Sequence, residues 1–93
     1  MATLRQNPTL SDVQKFVAEL EKERNTTSQD VLRKCLHLGE EMGELFRLIR
    51  KNEKGPAVED EIADVLNKVC GIANRLEINL ENAFKTKMER PKS

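Results

Sequence analysis

The chain has 93 residues, enough for one small domain, and 34% of them are charged while 38% are hydrophobic. Its formal net charge is zero, so no global field steers it towards nucleic acid or a membrane surface. No apolar run approaches the roughly 18 residues of a membrane span, and the N-terminus lacks a hydrophobic signal segment, so we expect a cytoplasmic protein.

Two helices are predicted in the first half of the chain, after a loose N-terminal lead over residues 1–9. Thr9 or Ser11 can cap the first helix, and its apolar residues follow at helical spacing. After a break, Thr27 or Ser28 can cap a second helix that runs to about Lys51. The apolar stripe of this second helix advances in steps of three and four residues: Val31, Cys35, Leu38, Met42, Leu45 and Ile49.

Two further helices are predicted in the second half. Gly55 and Pro56 mark the turn that precedes the third helix, and Asn79 can cap a short fourth helix. Because the turn is short, helices two and three should form an antiparallel hairpin. We therefore predict an all-α, four-helix bundle-like domain over residues 1–93, with this hairpin at its centre. A monomer of this size would leave apolar surface uncovered, so we expect a homodimer or homotetramer.

The two cysteines give no metal or redox signature. Cys35 and Cys70 are far apart in the sequence and form no CxxC or Cys/His cluster. We expect both thiols to be buried, because free cysteine packs as a small hydrophobic residue.

Four acidic residues give the strongest functional signal. Glu41 and Glu44 lie three residues apart on the second helix, as do Glu61 and Asp64 on the third. On a helical wheel, the first acid of each pair falls about 70° from the centre of its apolar stripe, and the second about 130°. The two flanks can converge beside the hairpin, where carboxylates would suit hard cations such as Mg2+ or Mn2+.

The charges near these acids point the same way. Glu41 and Glu61 have no Lys or Arg three or four residues away. Glu44 has only Arg47 ahead of it and acids behind, and Asp64 has only Lys68 ahead, so neither pair has the basic neighbours of an ordinary salt-bridged helix surface. Like charges at this spacing repel each other, and a bound divalent cation would make the arrangement of acids favourable. The alternative is structural, because acidic first turns are ordinary at helix N-termini and would explain Glu59, Asp60 and Glu61.

The segment from Gly39 to Leu45, read with the segment from Glu61 to Leu66, resembles the MazG-like nucleoside triphosphate pyrophosphohydrolases, whose signature is EExxE followed by ExxD. The resemblance continues from Ala73 to Phe84 and covers about residues 28–90. It implies Mg2+-dependent cleavage of a (d)NTP between the α- and β-phosphates, giving a monophosphate and pyrophosphate in a house-cleaning role.

The resemblance also implies roles for individual residues. Glu41, Glu44, Glu61 and Asp64 would be the metal ligands, and Glu41 or Glu44 would orient or deprotonate the attacking water. Glu40 matches the first acid of the motif, but its position opposite the stripe places it away from the metal. The candidate substrate-binding residues are Glu40, Lys68, Lys87 and Arg90. Lys87 and Arg90 could equally belong to a solvated helix C-terminus, where the helix dipole favours basic residues.

Two other functions remain open. A phosphoribosyl-ATP pyrophosphohydrolase would keep the fold and change the substrate, and a non-catalytic helical dimerisation module would leave the acids as ordinary surface. His37, Asn67 and Asn74 could contact substrate or serve structural and solvent-exposed roles. The chain has no Trp or Tyr to stack on a base, so base preference is open.

Overall fold

The computed structural model describes residues 1–25 and 30–91, and these residues form four helices and no strand. The helices are α1 (Leu10–Glu23), α2 (Val31–Arg50), α3 (Pro56–Arg75) and α4 (Leu80–Glu89). This confirms the all-α prediction. No helix in the described part of the chain is long and apolar enough to cross a bilayer.

Local sequence signals set most of the helix ends. Thr9 caps α1 in a reciprocal capping box with Asp12, and the Asn79 side chain caps α4 by accepting from the Asn82 amide at 2.9 Å. Gly55 precedes α3 with φ of +79°, a conformation that glycine adopts without strain, and Pro56 occupies the first helical position.

The cap of α2 differs from the prediction. Asp30 is the N-cap, and its carboxylate accepts from the Arg33 amide at 2.7 Å. The predicted caps Thr27 and Ser28 lie outside the described residues. Asp30 suits the position because a short carboxylate satisfies an amide that has no partner within the helix.

Helix α3 is the centre of the packing, since both α1 and α2 pack against it and α4 packs on α1. The buried apolar residues of the described chain are Val17, Cys70 and Ala73. Gln14 of α1 is also buried and joins three elements: its amide nitrogen donates to Asn74 Oδ1 at 3.0 Å and to the Ile78 carbonyl at 2.6 Å, and its oxygen accepts from the Leu80 amide at 3.0 Å. These bonds fix the start of α4 against α1.

Much of the predicted apolar stripe is exposed in the single chain. Met42 and Ile49 are 47% and 57% exposed, and Cys35 is exposed, so the prediction that both thiols are buried is wrong for Cys35 and correct only for Cys70. The physical reason is that α2 packs mainly against α3, which covers only part of its apolar face. Other large apolar side chains of α2, α3 and α4 are exposed as well: Leu32, Leu36, Phe46, Ile62, Leu66, Phe84 and Met88.

Candidate metal centre

Three carboxylates from two helices converge where α2 packs against α3. Glu41 comes from α2, and Glu61 and Asp64 come from α3; one oxygen of each lies within 4.8 Å of the other two. Glu61 and Asp64 share a face because residues three apart are neighbours on a helix surface. We call these three residues the acid cluster.

Glu61 is a half-buried member of the acid cluster with one fully buried oxygen. Its Oε2 is buried and has no hydrogen-bond partner among the described residues. The pKa of Glu61 is raised to about 7, first because the Glu41 carboxylate can accept a hydrogen bond only from protonated Glu61, and then because of burial. The negative charges of Glu41, Asp64 and Glu44 raise the pKa of Glu61 further. An unpartnered buried oxygen is costly in a folded protein, which marks this position for a ligand.

The residues of the acid cluster fit a hard divalent cation. Carboxylate oxygens are the ligands that Mg2+ and Mn2+ prefer, and Mg2+ usually keeps several water ligands, so a few protein oxygens suffice to hold it. A cation among the three carboxylates would reverse their mutual repulsion and give the buried Glu61 oxygen a partner.

Glu44 lies outside this group of three because it is engaged elsewhere. Its carboxylate accepts two hydrogen bonds from Arg47, one from Nε at 3.1 Å and one from a terminal guanidinium nitrogen. The hydrogen bond from Arg47 holds the pKa of Glu44 below its usual range. The expectation that neither acid pair belongs to an ordinary salt-bridged helix surface is therefore wrong for Glu44, which pairs with Arg47 three residues later on the same face of α2.

The candidate substrate-binding residues lie in three separate places. Glu40 is exposed, in agreement with its position on the helical wheel, and Lys87 and Arg90 are exposed at the end of α4. Lys68 is half-buried and lines a cleft between α1, α2 and α3, together with His37 and Asn67. Asn74 is not available to a ligand in this arrangement, because it bonds to Gln14 through both ends of its amide.

Two polar residues in the interior were missed from the sequence. Lys34 is only 7% exposed and donates to Glu21 Oε2 at 2.9 Å. Gln14 is buried at the junction with α4. A signal existed for Lys34, which lies three residues after Val31 and four before Leu38 and therefore projects from the apolar stripe.

The comparisons with known proteins agree with the geometry. The family model described as MazG nucleotide pyrophosphohydrolase domain matches residues 29–92, about two thirds of the chain and all of the acid cluster. The search of curated proteins returns no significant match.

Proposed function

Since the chain belongs to the MazG family of nucleotide pyrophosphohydrolases, we propose that it hydrolyses a nucleoside triphosphate with the help of Mg2+. Water attacks the α-phosphorus, the bond from that phosphorus to the bridging oxygen breaks, and its electron pair leaves with pyrophosphate. The products are a nucleoside monophosphate, pyrophosphate and a proton. The single observation that supports this best is the convergence of Glu41, Glu61 and Asp64 inside the matched segment.

In this proposal the acid cluster holds the cation, which would neutralise phosphate charge and lower the pKa of a coordinated water. Glu61 contributes its buried oxygen, and Glu41 and Asp64 approach from the two sides of the contact between α2 and α3. Mn2+ would be accepted by the same oxygens.

Glu41 or Glu44 would position the attacking water. Glu44 stays ionised because the bonds from Arg47 lower its pKa, so its carboxylate is a weak base and a good hydrogen-bond acceptor. We therefore assign Glu44 the task of orienting water, with Arg47 fixing the direction of its carboxylate. A house-cleaning role, the removal of unwanted nucleotides, is the biological purpose we propose.

A pyrophosphate-release assay tests the activity. Standard and modified (d)NTPs and phosphoribosyl-ATP would be incubated with the protein and Mg2+, and we expect at least one to give a monophosphate and pyrophosphate. Glu41→Gln and Glu61→Gln should lower kcat by about 100-fold or more. Glu59→Gln is the matched control, an exposed glutamate of α3 outside the acid cluster, and should keep kcat within about twofold of wild type. If no substrate releases pyrophosphate, the enzymatic proposal fails.

We also propose that α2 and α3 form an antiparallel hairpin at the centre of a homodimer or homotetramer. Support comes from the exposed apolar side chains of these helices, including Phe46 at 70% and Ile62 at 53%. Several large exposed apolar side chains on neighbouring helices are typical of a subunit interface. Sedimentation equilibrium should give a dimer or tetramer mass, and Phe46→Ser should shift it towards the monomer while Leu4→Ser, a change at an exposed residue outside the helices, should not. A monomeric wild type would contradict the proposal.

A further inference from the structure

A cleft of about 190 Å³ opens between α1, α2 and α3, and its polar lining is mainly basic. Arg24, Lys34 and Lys68 contribute three positive charges, and Glu21 contributes one negative charge. We call this the cationic cleft. Glu21 is bound to Lys34 at 2.9 Å, whereas neither Arg24 nor Lys68 forms a salt bridge with any other described residue. The lining therefore carries a net charge of about +2 at neutral pH.

The ion pair at the base of the cleft is built into the fold. The side chains of Lys34 and Glu21 are only 8% and 17% exposed, and the pair lies against Gly71 of α3. Gly71 has no side chain, and a Cβ at that position would lie 2.5 Å from Glu21 Oε1. The backbone of α3 thus leaves room for the pair, which holds the floor of the cleft in one arrangement.

The cationic cleft lies next to the acid cluster. His37, in the cleft, precedes Glu41 by four residues on α2, and Lys68 follows Asp64 by four residues on α3. Four residues of helix advance by about 6 Å, so the cleft begins about one helical turn from the acids. The two sites are close enough for one extended anion to reach both.

The volume of the cleft restricts what it can hold. Sites for whole drug-sized or cofactor-sized molecules have volumes of roughly 300–1,000 Å³, and the cleft is smaller than these. It has room for about six water molecules at ~30 Å³ each, which suits a small anion. We propose that the cationic cleft binds the β- and γ-phosphates of the nucleotide, the part that leaves as pyrophosphate, with Lys68 and Arg24 as the main contacts.

This assignment rests on the proposed function, and it explains why basic residues lie beside the acid cluster. Cleavage between the α- and β-phosphates leaves negative charge on the departing group, and fixed cations at that position stabilise it without reorganisation. The assignment also separates the two candidate phosphate sites, because Lys87 and Arg90 lie at the end of α4 and do not line the cleft.

Titration of metal-free, isotope-labelled protein with pyrophosphate, followed by two-dimensional NMR at low ionic strength, tests the inference. We expect shifts concentrated at the amides of Asn67 and Gly71, and Lys68→Gln and Arg24→Gln should each weaken pyrophosphate binding by about tenfold or more. Lys68→Arg should restore most of the affinity because it keeps the charge. Lys54→Gln, which removes a charge from the turn before α3, should change affinity by less than about twofold.

Several outcomes would overturn the inference. The first is that the wild type does not bind pyrophosphate. The second is that Lys68→Gln and Lys54→Gln lower the affinity for pyrophosphate equally. The third is that Lys87→Gln or Arg90→Gln lowers this affinity while Lys68→Gln does not. The outcome is independent of hydrolysis because no metal or nucleotide is present. Loss of pyrophosphate binding in Lys68→Gln, in a chain that cleaves no nucleotide, would support the anion site and refute the proposed activity. Nucleotide cleavage by the wild type, together with normal pyrophosphate binding by Lys68→Gln and Arg24→Gln, would support the proposed activity and refute the anion site.

Discussion

Replacing Gly71 by alanine tests the close contact between α3 and the buried ion pair. The new Cβ would lie 2.5 Å from Glu21 Oε1, against an ordinary contact distance of about 3.5 Å, so the carboxylate would have to move by about 1 Å. Its partner Lys34 has a side chain only 8% exposed, so water cannot easily replace Glu21 as its partner. Because Glu21 Oε1 is the end of a flexible side chain, the carboxylate can rotate while the ion pair persists, at a cost of about 0.5–1.5 kcal/mol for an off-rotamer side chain. Alanine regains about 1 kcal/mol of helix propensity, so Gly71→Ala should be about 0.5–1.5 kcal/mol less stable than an alanine at a helical glycine with open space around it.

Urea unfolding followed by far-UV circular dichroism, at one fixed protein concentration, measures this change. Gly39→Ala is the matched control, because Gly39 also lies within a helix and a Cβ there meets nothing within 4 Å. That variant should gain up to about 1 kcal/mol. In a Glu21→Ala background the penalty of Gly71→Ala should disappear, because the atom that the Cβ would meet has been removed. If Gly71→Ala is as stable as Gly39→Ala in the wild-type background, the account of this contact is wrong.

Three further predictions concern the interior and the acid cluster. Gln14→Leu should lower the free energy of unfolding by about 2–3 kcal/mol in urea, since three side-chain hydrogen bonds are lost, while the exposed Gln6→Leu should change it by less than about 0.5 kcal/mol. Mg2+ should raise the Tm of the wild type and of Glu59→Gln but not of Glu61→Gln; equal shifts in all three would argue against a metal at the acid cluster. The apparent affinity for Mg2+, measured by calorimetry, should rise by up to about tenfold per pH unit below pH 7 and level off above it. The reason is that Glu61, with a pKa of about 7, must lose its proton before it binds the metal. An affinity that does not change with pH would contradict this.

The raised pKa of Glu61 also has a consequence for folding without metal. A carboxyl group whose pKa is higher in the folded state than in the unfolded chain favours the folded state when it is protonated. Its contribution is fully present below about pH 4.5 and is lost as the pH rises through about 7. In EDTA, the wild type should therefore lose stability between pH 5 and pH 8 relative to Glu61→Gln, as measured by urea unfolding. A parallel pH dependence in the two proteins would show that Glu61 does not titrate in this range.

The features that the sequence predicted best are local ones. Thr9, Asn79 and the Gly55–Pro56 turn act on amides and dihedral angles within a few residues of themselves, so their roles follow from residue type alone. The convergence of Glu41 with Glu61 and Asp64 needed only the period of a helix and a short turn.

The features that the sequence did not predict depend on partners distant in the chain. Lys34 is buried because Glu21, 13 residues earlier, pairs with it, and Gln14 is buried because the start of α4, more than 60 residues later, meets it. The apolar stripe of α2 indicates which face of the helix is apolar, but it does not indicate what covers each residue. The stripe therefore predicts a buried Cys35, whereas this residue is exposed. The hydrogen bond from Arg47 to Glu44 is local, but the sequence pattern did not predict it because several acids surround this one basic residue.

Although the net charge of the chain is zero, the negative acid cluster and the positive cationic cleft lie next to each other. A cation at Glu41, Glu61 and Asp64 and an anion at Lys68 would attract each other across about one helical turn, a separation shorter than the ~10 Å screening length in 0.1 M salt. Linkage then requires reciprocity: whatever factor the anion contributes to the affinity for the metal, the metal contributes to the affinity for the anion. Two ligands that each bind weakly alone would bind together as a cooperative pair, and the chain would respond to the metal–nucleotide complex rather than to either component.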